Sequence, residues 1–176
     1  MTIKELESLN GQYSALVITP VEKMQDISNR IIKSFAKKSN KGVYIALNKP
    51  HDSIEKVLQG MKINTGGIHF IDCIRTIAED SPGERVAHIQ NPSDITSMNI
   101  ALNQFMEKIE GEKYIVLDSL TTLLIYNKEN LVIMFVKALI DEARKYEAKM
   151  IILTPEPRGG ELINKVALFF DKVIRI

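Results

Sequence analysis

Short apolar runs alternate with helical apolar patterns along the whole sequence. The predicted strands are 15–19, 43–47, 68–72, 114–118, 150–154 and 172–176. The predicted helices are 21–38, 53–61, 93–109, 129–146 and 160–169. Most of the strands are continuous apolar runs, which is typical of strands covered on both faces. The alternation therefore predicts an α/β fold with a parallel sheet between two helical layers, and ligands bind such sheets beyond the carboxyl ends of the strands.

The length of the chain fits one globular domain, and its net charge gives no reason to expect binding to a polyanion. The 176 residues suffice for one core, so we expect a single domain, 1–176, with 1–12 as an N-terminal extension. The 23 basic and 22 acidic residues give a net charge of +1, which offers no electrostatic reason to bind nucleic acid or an anionic membrane. The start of the chain lacks the apolar core of a signal peptide, so we expect a cytoplasmic protein without membrane attachment. Cys73 is interpreted as a small core residue.

Two segments suggest a nucleotide site. In "LVITPVEKMQDISNRII", 16–32, a buried strand runs into a helix, which is where phosphate-binding proteins place a glycine-rich loop, but this loop has no glycine. In "KYIVLDSLTTLLIYN", 113–127, an apolar strand ends at Asp118 and Ser119. This is the form of a Walker B element, whose aspartate helps to hold Mg²⁺. The alternative interpretation of Asp118 is a helix cap or turn residue.

The second half of the chain resembles a known family. The run from 116 to 156 is similar to the Walker B strand, long helix and next strand of archaeal KaiC-like proteins, which belong to the RecA superfamily of ATPases. "NPSDITSMNIALNQFMEKI", 91–109, is similar to the helix that precedes Walker B in those proteins. The resemblance extends over about 14–176. It implies a RecA-like (P-loop NTPase) three-layer sandwich with a mostly parallel central sheet flanked by helices.

The phosphate-binding motif of that family, G-x-x-x-x-G-K-[ST], is degenerate in this sequence. The corresponding segment, "TPVEKMQDIS", begins at Thr19 and lacks both glycines. Pro20, near the first glycine position, has no N–H to donate. Asp26 falls about where the lysine belongs, with Glu22 nearby, and Ser28 approaches the hydroxyl position. The two carboxylates repel a triphosphate, and we expect them to cap the helix themselves.

The catalytic base of the family is also replaced. KaiC-like ATPases carry a glutamate just after the second strand, whereas this chain has Asn48 and Lys49 there, and neither can act as a carboxylate base. The resemblance therefore implies an inactivated ATPase with no catalytic residues and no cofactor. The alternative is a sensor that binds ATP and Mg²⁺ through Lys23, Asp118 and Ser119 without efficient hydrolysis. A solvated lysine is the other interpretation of Lys23.

The sequence predicts no metal site but does suggest a protein interface. His51, His69 and His88 have no Cys or carboxylate partners at ligand spacing along the chain. One apolar stripe of helix 129–146 is enough to seat it on the sheet. A second stripe is predicted either to be buried under a neighbouring helix or to form a subunit or partner contact. Its residues are Val132, Ile133, Val136 and Ile140.

We therefore expect a protein-interaction or regulatory module in signal transduction. It would act on a protein partner or by self-association, with weak or absent nucleotide binding. A more distant alternative is a DNA-repair accessory protein, which the near-zero net charge disfavours. Pro82 and Gly83 predict a surface loop at 79–85, and the glycines of 158–160 predict a turn.

Overall fold

The computed structural model describes residues 6, 8–9, 11–38, 40–74, 84–156 and 160–176. The strands are β1 Tyr13–Thr19, β2 Lys41–Ala46, β3 Ile68–Asp72, β4 Val86–His88, β5 Lys113–Asp118, β6 Lys149–Pro155 and β7 Lys172–Arg175. The helices are α1 Met24–Lys37, α2 His51–Gly60, α3 Ile95–Lys108, α4 Leu120–Tyr126, α5 Glu129–Lys145 and α6 Glu161–Ala167, with a 3₁₀ turn, Val21–Lys23, before α1. The turn predicted at 158–160 and most of the loop predicted at 79–85 lie outside the described residues.

The seven strands form one sheet in the order β4-β3-β2-β5-β6-β1-β7. Every pair of neighbouring strands is parallel, so all carboxyl ends lie at one edge. The predicted α/β class is confirmed, and each strand and helix that the sequence predicts is present.

Two apolar cores cover the two faces of the sheet. On one face the strands pack against α3, α4, α5 and α6. On the other face they pack against α1 and α2. Successive residues of a strand point to opposite faces. Leu16 and Ile18 therefore lie in the first core while Ala15 and Val17 lie in the second. This two-sided burial is the reason why the strands read as continuous apolar runs.

Two short elements were not predicted from the sequence. Strand β4 has three residues, all half-buried, which is too short for an alternating pattern to be visible. Helix α4 has seven residues, and its two buried positions, Leu120 and Leu123, are too few to define a helical period.

Helix α5 bears on the two alternatives for its second apolar stripe. Val132, Val136 and Ile140 are at most 1% exposed, and Ile133 packs against the same core from a half-buried position. The cause is that α5 contacts α3, α4 and α6 as well as β1 and β6, so that both stripes are covered within the chain. Of the two alternatives, burial is the one that the structure supports.

Two further predictions from the sequence concern Cys73 and membrane attachment. Cys73 is buried, and this burial raises the pKa of its thiol to about 12, as expected of a core residue rather than a nucleophile. Within the described part of the chain, no helix has the length and apolar character needed to cross a bilayer.

Candidate functional site

The junction between β1 and α1 is a tight turn. Thr19, the last residue of β1, is followed by Pro20 alone before the 3₁₀ turn begins. The N–H of Lys23 donates to the carbonyl of Pro20 at 2.9 Å, and the N–H of Met24 donates to the carbonyl of Val21. These bonds use backbone groups that a phosphate-binding loop would direct at its ligand. The N–H groups of Lys23 and Met24 are therefore satisfied within the turn.

The charged residues of this junction face solvent. Glu22, Lys23 and Asp26 are all exposed. No side chain caps the 3₁₀ turn or α1, so the expectation that Glu22 or Asp26 would cap the helix is wrong. The physical reason is that the turn leads directly into α1, and its own carbonyls accept the first N–H groups.

Behind the junction, a tyrosine joins two residues that the sequence singled out. The hydroxyl of Tyr44 on β2 lies 2.9 Å from Oγ of Ser28 on α1. The same hydroxyl donates to Oδ2 of Asp118, at the end of β5, over 3.0 Å. Both Ser28 and Tyr44 are at most 1% exposed, so these contacts form inside the protein. Ser28 and Asp118 are thus linked through a phenol oxygen and not directly.

The other oxygen of Asp118 is also occupied. Nδ2 of Asn48, in the bend after β2, donates to Oδ1 of Asp118 at 3.0 Å. Oδ1 of Asn48 in turn accepts a hydrogen bond of 2.6 Å from the Thr122 hydroxyl on α4. Asn48 therefore joins the bend after β2 to Asp118 at the end of β5 and to Thr122 on α4.

Burial shapes the protonation of this network. Burial is the largest cause raising the pKa of Asp118, and it is opposed by the hydrogen bonds from Tyr44 and Asn48 and by the charge of Lys49. Burial and the nearby Asp118 carboxylate raise the pKa of Tyr44 well above its usual value. Tyr44 therefore keeps its proton and acts as a donor.

The other residues of the predicted nucleotide pocket differ in their contacts. Some have a hydrogen-bond partner nearby, and others have none among the described residues. Oγ of Ser119 lies 3.1 Å from the Thr122 hydroxyl. Nζ of Lys49 donates to Oε1 of Gln25 at 2.7 Å, which ties the bend after β2 to α1. The Thr19 hydroxyl is buried with no hydrogen-bond partner in the described part of the chain. The structure thus brings Ser28, Asn48 and Asp118 together and leaves Glu22, Lys23 and Asp26 outside.

Sequence reasoning missed Tyr44, which holds the network together. Tyr44 stands in the apolar run of β2, where the sequence pattern indicates a residue of the apolar core. The available signal was its hydroxyl, because a tyrosine on a strand that is buried on both faces needs a hydrogen-bond partner.

A second polar cluster lies at the same edge of the sheet. Asp72 ends β3, His88 ends β4, and His51 begins α2 after β2. Nδ1 of His51 is 2.8 Å from Oδ2 of Asp72, whose side chain is completely buried. This contact corrects the expectation that the histidines lack a carboxylate partner. The sequence could not show it directly, because the contact depends on β2 and β3 being neighbours in the sheet and not on spacing along the chain.

Comparison with solved structures identifies the fold. The chain is similar to a KaiC-like protein, PH0186, from the hyperthermophilic archaeon Pyrococcus horikoshii OT3, with a TM-score of 0.68 and 12% sequence identity. The similarity covers 93% of this chain and 70% of that one. The parallel sheet with helices on both faces is therefore a RecA-type fold like that of KaiC-like proteins.

Comparison at the level of sequence identifies the family but no characterised relative. No curated protein matches the chain. A model of a family of unknown function, DUF7090, matches residues 74–176, which is more than half of the chain. This chain is therefore a member of the family of unknown function DUF7090.

Proposed function

We propose that this RecA-type domain does not hydrolyse ATP and acts as a protein-interaction or regulatory module. The observation that carries the proposal is the Tyr44 hydroxyl between Ser28 and Asp118. In P-loop NTPases, the serine or threonine of the phosphate-binding loop and the Walker B aspartate hold Mg²⁺. In this chain the phenol oxygen of Tyr44 lies between Ser28 and Asp118, the residues that the resemblance to KaiC-like proteins assigns near those two positions.

The oxygens of this network are already paired with one another. The Tyr44 oxygen stands 2.9 and 3.0 Å from the Ser28 and Asp118 oxygens, which is hydrogen-bond spacing. Asn48 donates to the second oxygen of Asp118. This pairing supports a site that does not hold Mg²⁺ bound to a triphosphate, because the ion would have to displace the phenol hydroxyl between Ser28 and Asp118.

The junction after β1 supports the same conclusion. Pro20 contributes no N–H, and the first N–H groups after it are used by the 3₁₀ turn. Glu22 and Asp26 place negative charge at the helix entrance, where a triphosphate would lie in a P-loop protein. Lys23, the cation of this turn, is exposed.

The first test is nucleotide binding and turnover. We expect no ATP hydrolysis above background and a dissociation constant for ATP with Mg²⁺ of about 1 mM or weaker, which corresponds to about −4 kcal/mol. Calorimetry and phosphate release measure the two quantities, with Asp118→Ala as the control for contaminating enzymes. Micromolar affinity would favour the nucleotide-sensor alternative, and turnover that disappears in Asp118→Ala would overturn the proposal.

The second test concerns the partner. With Val132, Val136 and Ile140 buried, the surface that remains includes exposed apolar residues on α4 and α5. Ile125 is 76% exposed and Met134 is 68% exposed. We expect affinity purification from the native cell to recover one partner in stoichiometric amount, or light scattering to show self-association.

The matched variants locate that contact. Ile125→Lys with Met134→Lys should abolish it at an unchanged melting temperature, because exposed residues contribute little to stability. Leu168→Lys at the end of α6, where Leu168 is 85% exposed, is the control and should retain the contact. A chain that remains monomeric and recovers no stoichiometric partner would contradict the proposed role.

A further inference from the structure

Three potential metal ligands meet where β2, β3 and β4 end. One ring nitrogen each from His51 and His88 and a carboxylate oxygen of Asp72 lie within 4.8 Å of one another. Asp72 and His88 are direct partners in the parallel register of β3 and β4. Phe70 and Val86, two residues earlier on the same strands, pack in the core beneath α1 and α2. Strand alternation therefore directs Asp72 and His88 toward the face on which α2 brings His51.

The spacing of the first pair is close to that of two ligands on one ion. Nδ1 of His51 and Oδ2 of Asp72 are 2.8 Å apart. Two ligands that each lie about 2.1 Å from an ion are separated by about 3.0–3.4 Å, depending on the angle between them. An ion can replace the shared proton with little movement. The widest of the three distances, at most 4.8 Å, would have to close by about 1.5 Å, which rotation of an imidazole ring can supply.

The backbone fixes the carboxylate in its orientation. Oδ2 of Asp72 accepts the N–H of His51 at 2.9 Å, and Oδ1 accepts the N–H of Ile74 at 2.9 Å. These bonds orient the carboxylate in the way that outer contacts orient a ligand at a metal site.

His88 provides an independent sign of a missing partner. Its Nδ1 is buried and makes no hydrogen bond to any described residue. Its ring stands edge-on to the ring of His51, with centroids 5.5 Å apart. A His–Asp hydrogen bond that merely tethers α2 to β3 would account for His51 and Asp72. It would not account for a second imidazole placed beside them.

From this geometry we propose that His51, Asp72 and His88 bind one divalent transition-metal ion of the Zn²⁺ type. Two imidazoles and one carboxylate suit Zn²⁺, Fe²⁺ or Co²⁺, whereas Mg²⁺ and Ca²⁺ prefer oxygen ligands throughout. Three protein ligands leave a coordination position for water or a substrate, which is the pattern of catalytic and not of structural zinc sites. The inference is independent of the proposed function, because it concerns different residues and does not require that ATP be excluded.

The test uses the full chain, purified without a polyhistidine tag and treated with chelator. We expect Zn²⁺ to bind at one ion per chain with micromolar or tighter affinity in competition with a chromogenic chelator. Co²⁺ should give the intense visible bands of a four- or five-coordinate site. The melting temperature should rise with Zn²⁺, because the ion binds the folded state alone.

His69 offers a matched control on β3. Its Nδ1 is also buried and unpaired within the described ranges, but its ring packs against Phe105 on the opposite face of the sheet. His88→Gln should weaken Zn²⁺ binding at least about 100-fold, while His69→Gln should leave it unchanged. Affinity weaker than about 100 μM in the unmodified chain would overturn the inference. So would Co²⁺ that stays octahedral and pale, or equal loss in the two variants. The Co²⁺ spectrum of the unmodified chain decides the matter even if a variant fails to fold.

Discussion

Two aspartates, Asp72 and Asp118, lie at the same edge of the sheet, each at the end of a strand, and their surroundings differ. Asp118 at the end of β5 accepts hydrogen bonds from two neutral side chains, Tyr44 and Asn48. Asp72 at the end of β3 accepts two backbone N–H groups and contacts the imidazole of His51. The first aspartate is enclosed by side-chain donors, and the second is held by the backbone with metal-binding groups beside it.

The difference shows that carboxylates at the ends of strands in one sheet can be held in different ways. The carboxylate of Asp118 links β2, β5 and α4 through Tyr44 and Asn48. At the other end, a buried carboxylate beside two histidines resembles a site for an ion more than a structural fastening. We therefore propose different roles for the two aspartates, because different groups surround their carboxylates.

The largest effect should come from removing the backbone-bonded aspartate. Asp72→Ala leaves two backbone N–H groups without their acceptor in a fully buried position, so we expect a loss of about 3 kcal/mol in the free energy of unfolding. Asp118→Ala should lose about 1–2 kcal/mol, because its partners are side chains that can reorient. Urea unfolding of both variants checks the order. Equal losses would contradict the expectation that Asp72 contributes more to stability than Asp118.

Removal of the tyrosine hydroxyl should have a smaller effect. Tyr44→Phe deprives the buried Ser28 of this partner and Asp118 of one donor, so we expect a loss of about 1–2 kcal/mol without a change in fold. Urea unfolding measures it, with Tyr13→Phe as a control at a buried tyrosine whose hydroxyl has no role in this network. The variant should still not bind ATP, because Pro20 and the 3₁₀ turn remain. Micromolar ATP binding by Tyr44→Phe would show that the phenol alone closes the site.

The free energy of unfolding should depend on pH through the protonation of Asp118. Its pKa in the folded chain is raised, chiefly by burial, so the folded state binds a proton more readily than the unfolded state does. The stability contributed by this group is present below its ordinary value of 3.8 and is lost as the pH rises through the raised value. The advantage of the native chain over Asp118→Asn should therefore shrink as the pH rises above 3.8. Urea unfolding across that range measures it, and an advantage that grows with pH would contradict the sign.

The smallest effect should be that of His88→Gln in chelator. Because Nδ1 of His88 makes no hydrogen bond to any described residue, we expect the free energy of unfolding to change by less than about 1 kcal/mol. Addition of Zn²⁺ should then raise the melting temperature of the native chain but not that of the variant. A large loss in chelator would indicate that His88 is a structural residue of the β3–β4 edge.

The sequence predicted the sheet well because strands buried on both faces and helices with apolar stripes leave strong periodic signals. It also singled out Asp118, since a carboxylate that ends an apolar run is visible without knowledge of the fold. It could not predict Tyr44 as the partner of Asp118, because a tyrosine within the buried run of β2 looks like core. The cluster of Asp72, His51 and His88 was missed for another reason, since it depends on the pairing of β3 with the short strand β4.

The order of the strands also determines when the chain can fold during synthesis. Among the strands that the structure describes, β1 leaves the ribosome before the others, yet it lies between β6 and β7, which follow all of them in sequence. Tyr13 pairs with Lys149, and Ala15 pairs with Lys172, so both edges of β1 stay open until β6 and β7 have been synthesised. Such long-range parallel pairings form slowly and leave apolar strands exposed in the meantime. The nascent chain should therefore depend on chaperones that shield β1, and truncation before β6 should yield aggregates and not a smaller folded domain.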